Sequence, residues 1–179
     1  FKFKGTDYIK RTRNRNDIKE LKEKLKNNHK KRLAIFVAFH SENFLPESNL
    51  NYIDILNRCS FNVIYIINGK LSNKVLKQLN KIDCYVICRD NIGQDFGAWK
   101  DGIALLQKYK IIKEIKWLLL CNDSNFCLGG RNSEEFITKF SEALNNNKDK
   151  DLIALNSSYE ESFHYQSYFL CLSNFIIQK

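Results

Sequence analysis

Proline is nearly absent from this chain, at one residue in 179, and glycine is scarce at seven. A sequence so poor in both is neither a collagen-like repeat nor a low-complexity linker. Long apolar runs are missing too. The longest uninterrupted one is LAIFVAF, residues 33–39, well short of the roughly 18–20 residues that a membrane-spanning helix needs. The opening FKFKGTDYIKRTR has no apolar core and no small-residue cleavage site, so it does not read as a secretion signal. Methionine is absent even from position 1, and the chain reads as a piece of something longer, cut at one or both ends. No pair among Cys59, Cys84, Cys88, Cys121, Cys127 and Cys171 has the C-x-x-C spacing of a zinc or redox site. Cys84, Cys88, Cys121 and Cys171 lie inside apolar segments such as CYVIC and WLLLC, which is the usage of reduced, buried thiols. A cytoplasmic setting follows from that usage more readily than a secreted disulfide scaffold.

What the chain does have is a hydrophobic fraction of 44%, enough for one domain with a sizeable core. Its net charge of +9 is unevenly placed. Residues 1–32 hold 13 Lys and Arg against four acidic residues, and the remainder balances at 16 of each sign. We therefore divide the chain into a basic N-terminal arm, 1–32, and a neutral body, 33–179. The plain reading of the arm is a solvated lysine-rich helix. The functional one is peripheral contact with an anionic membrane surface, at the inner face of the membrane. A neutral body without a recognised binding motif argues against nucleic acid.

Within the arm, 16–31 reads as a helix, with Asn16 as cap, Asp17 in the first turn and Ile18, Leu21 and Leu25 at helical spacing. Its narrow apolar stripe suits a lid or a lead into another domain. The body then alternates. Apolar strand-length runs at 33–39, 61–67, 82–88, 117–121, 151–156 and 167–173 are separated by amphipathic segments. Those segments carry Leu50, Ile53 and Leu56; Leu71, Val75, Leu76 and Leu79; Ala98, Gly102, Leu105, Leu106 and Tyr109; and Phe136, Ile137, Phe140 and Leu144. Strands apolar on both faces, alternating with helices, predict an α/β fold built on a mostly parallel, Rossmann-like sheet with helices on both faces.

In such a sheet, ligands sit beyond the carboxyl ends of the strands. The residues found there are His40-Ser41, Asn68-Gly69-Lys70, Arg89-Asp90-Asn91-Ile92-Gly93-Gln94-Asp95-Phe96-Gly97 and Asn122-Asp123-Ser124. Glycines and short polar side chains allow close backbone approach to a phosphate-bearing ligand. The loop after Arg89 is neither G-x-G-x-x-G nor a Walker A loop, which argues against the familiar dinucleotide and ATP sites. Two readings stand for it. Asp95 and Arg89 could take sugar hydroxyls and phosphate; or Gly93 and Gly97 make a tight turn while Asp95 caps the next helix. Asp123 likewise reads either as a carboxylate for a hard cation bridging a diphosphate or as part of an Asn-Asp-Ser turn.

The ordered set Arg89-x-Asn91-x-Gly93-x-Asp95-Phe96-Gly97-Ala98, then Asn122-Asp123-Ser124, then His164-Tyr165-Gln166-Ser167-Tyr168-Phe169 resembles the rhamnan-synthesis F family over about residues 33–173. Those proteins are polysaccharide-biosynthesis glycosyltransferases of the cell envelope with a GT-A-like domain. The resemblance implies transfer of a sugar, rhamnose or another deoxyhexose, from a nucleotide-diphosphate donor to a glycan or lipid-linked glycan acceptor, in an inverting displacement. It implies that His40, Ser41 and Asn68 line the base and ribose pocket. Arg89, Asn91, Gly93 and Asp95 would face diphosphate and sugar, with Asn122 beside them, and Asp123 would bind Mg²⁺ or Mn²⁺. The base that takes the acceptor proton is to be sought among His164, Glu160 and Glu161. His164 reads equally as a hydrogen-bonded structural residue. Gln166 would bind sugar hydroxyls, while Tyr168 and Phe169 read as core. Asn122-Asp123-Ser124 departs from the Asp-x-Asp of more distant family-2 transferases in carrying one carboxylate. The alternative is accordingly a non-catalytic nucleotide-sugar-binding module, or an incomplete domain of a larger transferase.

Overall fold

The computed structural model describes residues 11–12, 15–27, 29, 31–39, 44–124, 131–147, 149–155, 157–159, 163–165 and 168–178. The helices are α1 (Arg15–Asn27), α2 (Glu47–Arg58), α3 (Asn73–Leu79), α4 (Gln94–Lys108), α5 (Arg131–Asn146) and α6 (Asn174–Ile177). The strands are β1 (Arg11–Thr12), β2 (Arg32–Ala38), β3 (Phe61–Asn68), β4 (Tyr85–Arg89), β5 (Trp117–Asn122), β6 (Leu152–Ala154), β7 (Ser157–Ser158), β8 (His164–Tyr165) and β9 (Phe169–Ser173). Every expected body element is present within a few residues of its predicted bounds. α1 begins at Arg15, one residue before the expected cap Asn16.

Among the described residues the main sheet has seven strands in the order β1-β4-β3-β2-β5-β9-β6, and β7 pairs with β8 apart from it. The expected mostly parallel sheet is corrected here to a mixed one. β2–β3, β3–β4 and β2–β5 are parallel, whereas β1–β4, β5–β9 and β6–β9 are antiparallel. Parallel neighbours need a covering crossover, usually a helix. Helices separate β2, β3, β4 and β5 along the chain, but the route from β6 to β9 passes through the short β7–β8 pair, so the chain returns antiparallel. A run of buried apolar residues looks the same in either direction, which is why composition could not show this.

The strict alternation of side chains across a strand divides the core into two. On one face Phe36, Val63, Tyr65, Ile67 and Leu119 pack with Tyr52, Ile53 and Leu56 of α2, Val75 and Leu79 of α3, and Phe140 and Leu144 of α5. On the other, Leu33, Ile35, Ile64, Ile66 and Leu118 pack with Ala98, Trp99, Leu105 and Leu106 of α4. Ile18, Leu21 and Leu25 of α1 join this second cluster, so α1 is built into the body. Both faces are thus covered by helices, as expected. Cys59, Cys84, Cys121 and Cys171 are buried thiols, used as small hydrophobes; Cys127 lies outside the described residues. At the amino end of β2, buried Arg32 donates to the Cys59 carbonyl at 2.8 Å and to Asn145 Oδ1 at 2.9 Å. It thereby joins the end of α2 to the end of α5, far from the strand tips that matter for ligands.

Two expectations follow. Leu25→Ala removes a fully buried side chain, and an unfolding midpoint should report a loss of about 2–5 kcal/mol; a loss below about 0.5 kcal/mol, typical of a surface site, would show that α1 is only loosely attached. Burial also pushes the Cys171 thiol well above its ordinary value of 9.0 and the Tyr65 hydroxyl above 10.0. Both groups keep their protons longer in the folded state than in the unfolded one. Their contribution to stability is therefore fully present below the ordinary thiol value and falls as alkaline pH ionises the unfolded chain first. Denaturant midpoints should be flat just above neutrality and decline through the alkaline range.

Candidate functional site

The neighbouring parallel strands β4 and β3, and β5 on the other side of β2, end on Arg89, Asn68 and Asn122, all buried polar residues. A charge or amide held away from water must find partners inside the protein, and here each finds the loop between β4 and α4. Arg89 donates through Nε to Asp101 Oδ2 at 2.8 Å, through Nη1 to Asn68 Oδ1, and through Nη2 to the Ile92 carbonyl at 2.7 Å. Asn68 Nδ2 donates to the Gln94 carbonyl at 3.4 Å. Asn122 Nδ2 donates to Asp95 Oδ2 at 2.6 Å, and Asn122 Oδ1 accepts from the Ser124 amide at 3.3 Å. Three strand tips therefore grip residues 92–95 from below.

The loop can accept this grip only because of its glycines. Gly93 precedes α4 with φ 72°, in the left-handed region that disfavours a side chain. At Gly97 a Cβ would collide with the Ile92 carbonyl oxygen and stand 3.3 Å from Arg89 Nη2. The tight turn foreseen as the plainer reading of Gly93 and Gly97 is real. Asp95, however, sits inside the first turn of α4 with Gly93 at the cap position, and its carboxylate accepts from Asn122. The turn of the plainer reading thus stands, while its cap is corrected: Gly93 and not Asp95 occupies the cap position.

Asp123 lies on the opposite side of β5 from Asn122. Its backbone N–H donates to the Val37 carbonyl at 3.1 Å, and its Oδ2 accepts from the Phe39 amide at 3.1 Å, bracing the end of β2. Among the described residues no three His, Cys, Asp or Glu side chains gather into a metal-binding group.

The structure brings Asn68, Arg89, Gly93, Asp95, Asn122 and Asp123 to one edge of the sheet, with Asn91 exposed on the loop. Arg89 was expected to face a diphosphate; at 3% exposure it lies under the loop and engages protein atoms. Asn68 is turned inward in the same way. His164 belongs to β8, opposite Ser158. His40, Ser41, Glu160, Glu161 and Gln166 lie outside the described residues. Phe169 is core, as expected.

Asp101 escaped the sequence reading. It was detectable as a carboxylate on the apolar stripe of α4 formed by Ala98, Gly102, Leu105 and Leu106. Beside the polar cluster, Phe96, Trp99, Ile103, Leu120, Leu170 and Lys100 line a cleft of about 370 Å³. Trp99 is oriented by its Nε1–H, which donates to the Cys121 carbonyl at 3.3 Å, and Phe96 meets it edge-on with ring centres 5.2 Å apart.

A family model described as rhamnan synthesis protein F matches residues 63–179, the stretch that carries β3 through α6 and all three strand tips of the cluster. No curated protein and no solved structure matches the chain.

Gly97→Ala should force the Ile92 carbonyl off Arg89 and destabilise the protein by about 1–3 kcal/mol. If Gly97→Ala unfolds at the wild-type denaturant concentration, the close approach of loop and helix is not as described.

Proposed function

The chain belongs to the rhamnan synthesis protein F family, which takes part in rhamnan polysaccharide synthesis, and from that premise we propose that it is a glycosyltransferase domain of GT-A-like design. It moves a sugar, rhamnose or another deoxyhexose, from a nucleotide-diphosphate donor to a glycan or lipid-linked glycan acceptor. One observation carries the reading: three parallel strand tips hold a glycine-containing loop and the start of α4 at the carboxyl edge of the sheet, where α/β folds receive nucleotides.

The roles follow from position. The first N–H groups of α4 lack partners within the helix and favour anionic oxygens, so the diphosphate belongs near them. Asp95 and Asn122, already in contact at 2.6 Å, offer acceptor and donor groups to sugar hydroxyls. Arg89 and Asn68 support this surface from beneath, while Asn91 lies on it; His40 and Ser41 complete the base and ribose pocket, and Gln166 contributes to the sugar. Asp123 would hold a Mg²⁺ or Mn²⁺ ion, which would supply neutralising charge to the diphosphate. In the inverting step the acceptor oxygen bonds to the anomeric carbon as the bond from that carbon to the diphosphate breaks. The hydroxyl proton passes to His164, Glu160 or Glu161.

A nucleotide-sugar-binding module without turnover is the second reading, favoured by the single carboxylate at 122–124. A thermal-shift screen of nucleoside diphosphates and their sugar conjugates, with and without Mn²⁺, tests both on wild type and Asp123→Ala. A ligand that binds only the folded state at a hundred times its Kd stabilises by about 2.7 kcal/mol. A metal-dependent shift lost in the variant, together with release of nucleoside diphosphate, is the expected result. Shift without release selects the binding module, and no shift with any nucleotide defeats both readings.

Among the described residues no helix is long and apolar enough to cross a membrane. A membrane contact through residues 1–32 would rest on charge, because the apolar stripe of α1 is buried against the sheet while Lys19, Lys24 and Lys26 are exposed. Reversing those three lysines to Glu should abolish sedimentation with anionic vesicles without unfolding the protein. Unchanged sedimentation would remove the membrane role of α1.

A further inference from the structure

A carboxylate on the buried stripe of a helix is costly unless it is paired. Asp101 stands on that stripe of α4, flanked by Ala98, Gly102 and Leu105, and is 4% exposed. The stripe around it is apolar; its partner comes from the sheet, the Arg89 guanidinium, at 2.8 Å. α4 has apolar anchors besides this ion pair. Ala98, Trp99, Leu105 and Leu106 seat it in the core, and Gly102 lets it approach Ile35 and Ile66 so closely that a Cβ would be 3.0 Å from each.

What the ion pair adds is the orientation of a fork. With Nε held by Asp101, the two terminal nitrogens of Arg89 point to Asn68 Oδ1 and to the Ile92 carbonyl. Asn68, so engaged, presents its Nδ2 to the Gln94 carbonyl. Ile92 and Gln94 flank Gly93, and Gly93 and Gln94 both have positive φ, at 72° and 49°. A non-glycine residue in that region costs about 1–2 kcal/mol and persists only when its surroundings impose it. The sequence of contacts runs from Asp101 through Arg89 and Asn68 to the strained turn, and the turn delivers Asp95 to Asn122.

We propose that Asp101 is a positioning residue for the sugar-donor site: it fixes the Arg89 fork, and through it preorganises residues 91–95 to receive the donor. The assignment of the loop to the donor rests on the function proposed above; the ordering of the loop by Asp101 does not. A planar, five-donor guanidinium is suited to this task, and a lysine at 89 could make only one of the contacts with the same directionality.

The test uses Asp101→Asn, which keeps the volume and one acceptor but removes the charge, and Arg89→Lys, which keeps the charge and removes the fork. Amide hydrogen exchange is measured along residues 90–108 in the wild type and both variants. Affinity is measured for UDP, dTDP, GDP and CDP, each alone and as hexose conjugates, together with KM and kcat for any conjugate that turns over.

The expected result is faster exchange confined to residues 91–96, with residues 102–108 of α4 as protected as in wild type. Donor affinity should fall by about ten- to hundredfold, the order of loss from misplacing a binding group, and donor KM should rise much more than kcat falls. Either variant suffices should the other fail to fold. Unchanged exchange at 91–96 overturns the proposal. So does a uniform loss of protection along α4, which would make the pair a fastener of the helix. If loop exchange rises while the wild type binds no nucleotide, the ordering role stands and the donor function falls.

Discussion

A guanidinium buried at the tip of a β-strand is the constraint on which the carboxyl edge of this protein depends. Removing a charge from water costs several kcal/mol unless partners replace the lost hydration, and the Arg89 guanidinium obtains them from three directions in the chain. Asp101 supplies the opposite charge from α4, Asn68 an amide oxygen from β3, and Ile92 a carbonyl from the loop. Each contact satisfies the arginine and at the same time places something else. The turn at Gly93, the closeness of Gly97 to Ile92 and the direction of Asp95 are all consequences of satisfying one cation.

That arrangement is possible because the sheet beneath it is rigid. Strand residues alternate between two apolar layers, each capped by its own helices, so that β2, β3, β4 and β5 end in register with little freedom. Antiparallel strands at the two margins extend the sheet without disturbing the four parallel tips. The polar residues that would meet a ligand are therefore carried on the firmest part of the molecule, while the exposed side chains of Asn91, Ile92 and Phe96 lie above it. A binding surface so preorganised leaves less ordering to be done when a ligand arrives.

Membership of the rhamnan synthesis protein F family places the chain in polysaccharide synthesis, and the physical features agree with handling a sugar nucleotide. The outer side of the polar cluster carries the Asp95 carboxylate, hydrogen-bonded to the Asn122 amide. Next to it lies an apolar cleft edged by Phe96 and Trp99. The Asp123 carboxylate, just past the end of β5, accepts from the Phe39 amide.

Much of this was readable in the residues themselves. Runs such as LAIFVAF and FNVIYII announce strands buried on both faces, because only a covered sheet tolerates apolar side chains pointing both ways. The spacing of Leu105 and Leu106 behind Ala98 announces the face of α4, and short polar segments at the ends of the runs locate the ligand edge. The direction of β9 was not readable, since hydrophobic burial carries no sign along the chain. Nor was the inward turn of Arg89, whose side chain could satisfy its charge with phosphate or with protein and is decided by Asp101, twelve residues away. Local pattern thus determined which residues are strand, helix and edge; only the packing of α4 against β2 and β3, which brings Asp101 to Arg89, decided which of the edge residues hold the loop and which stay exposed, because a buried charge chooses its partner by what the fold brings within reach.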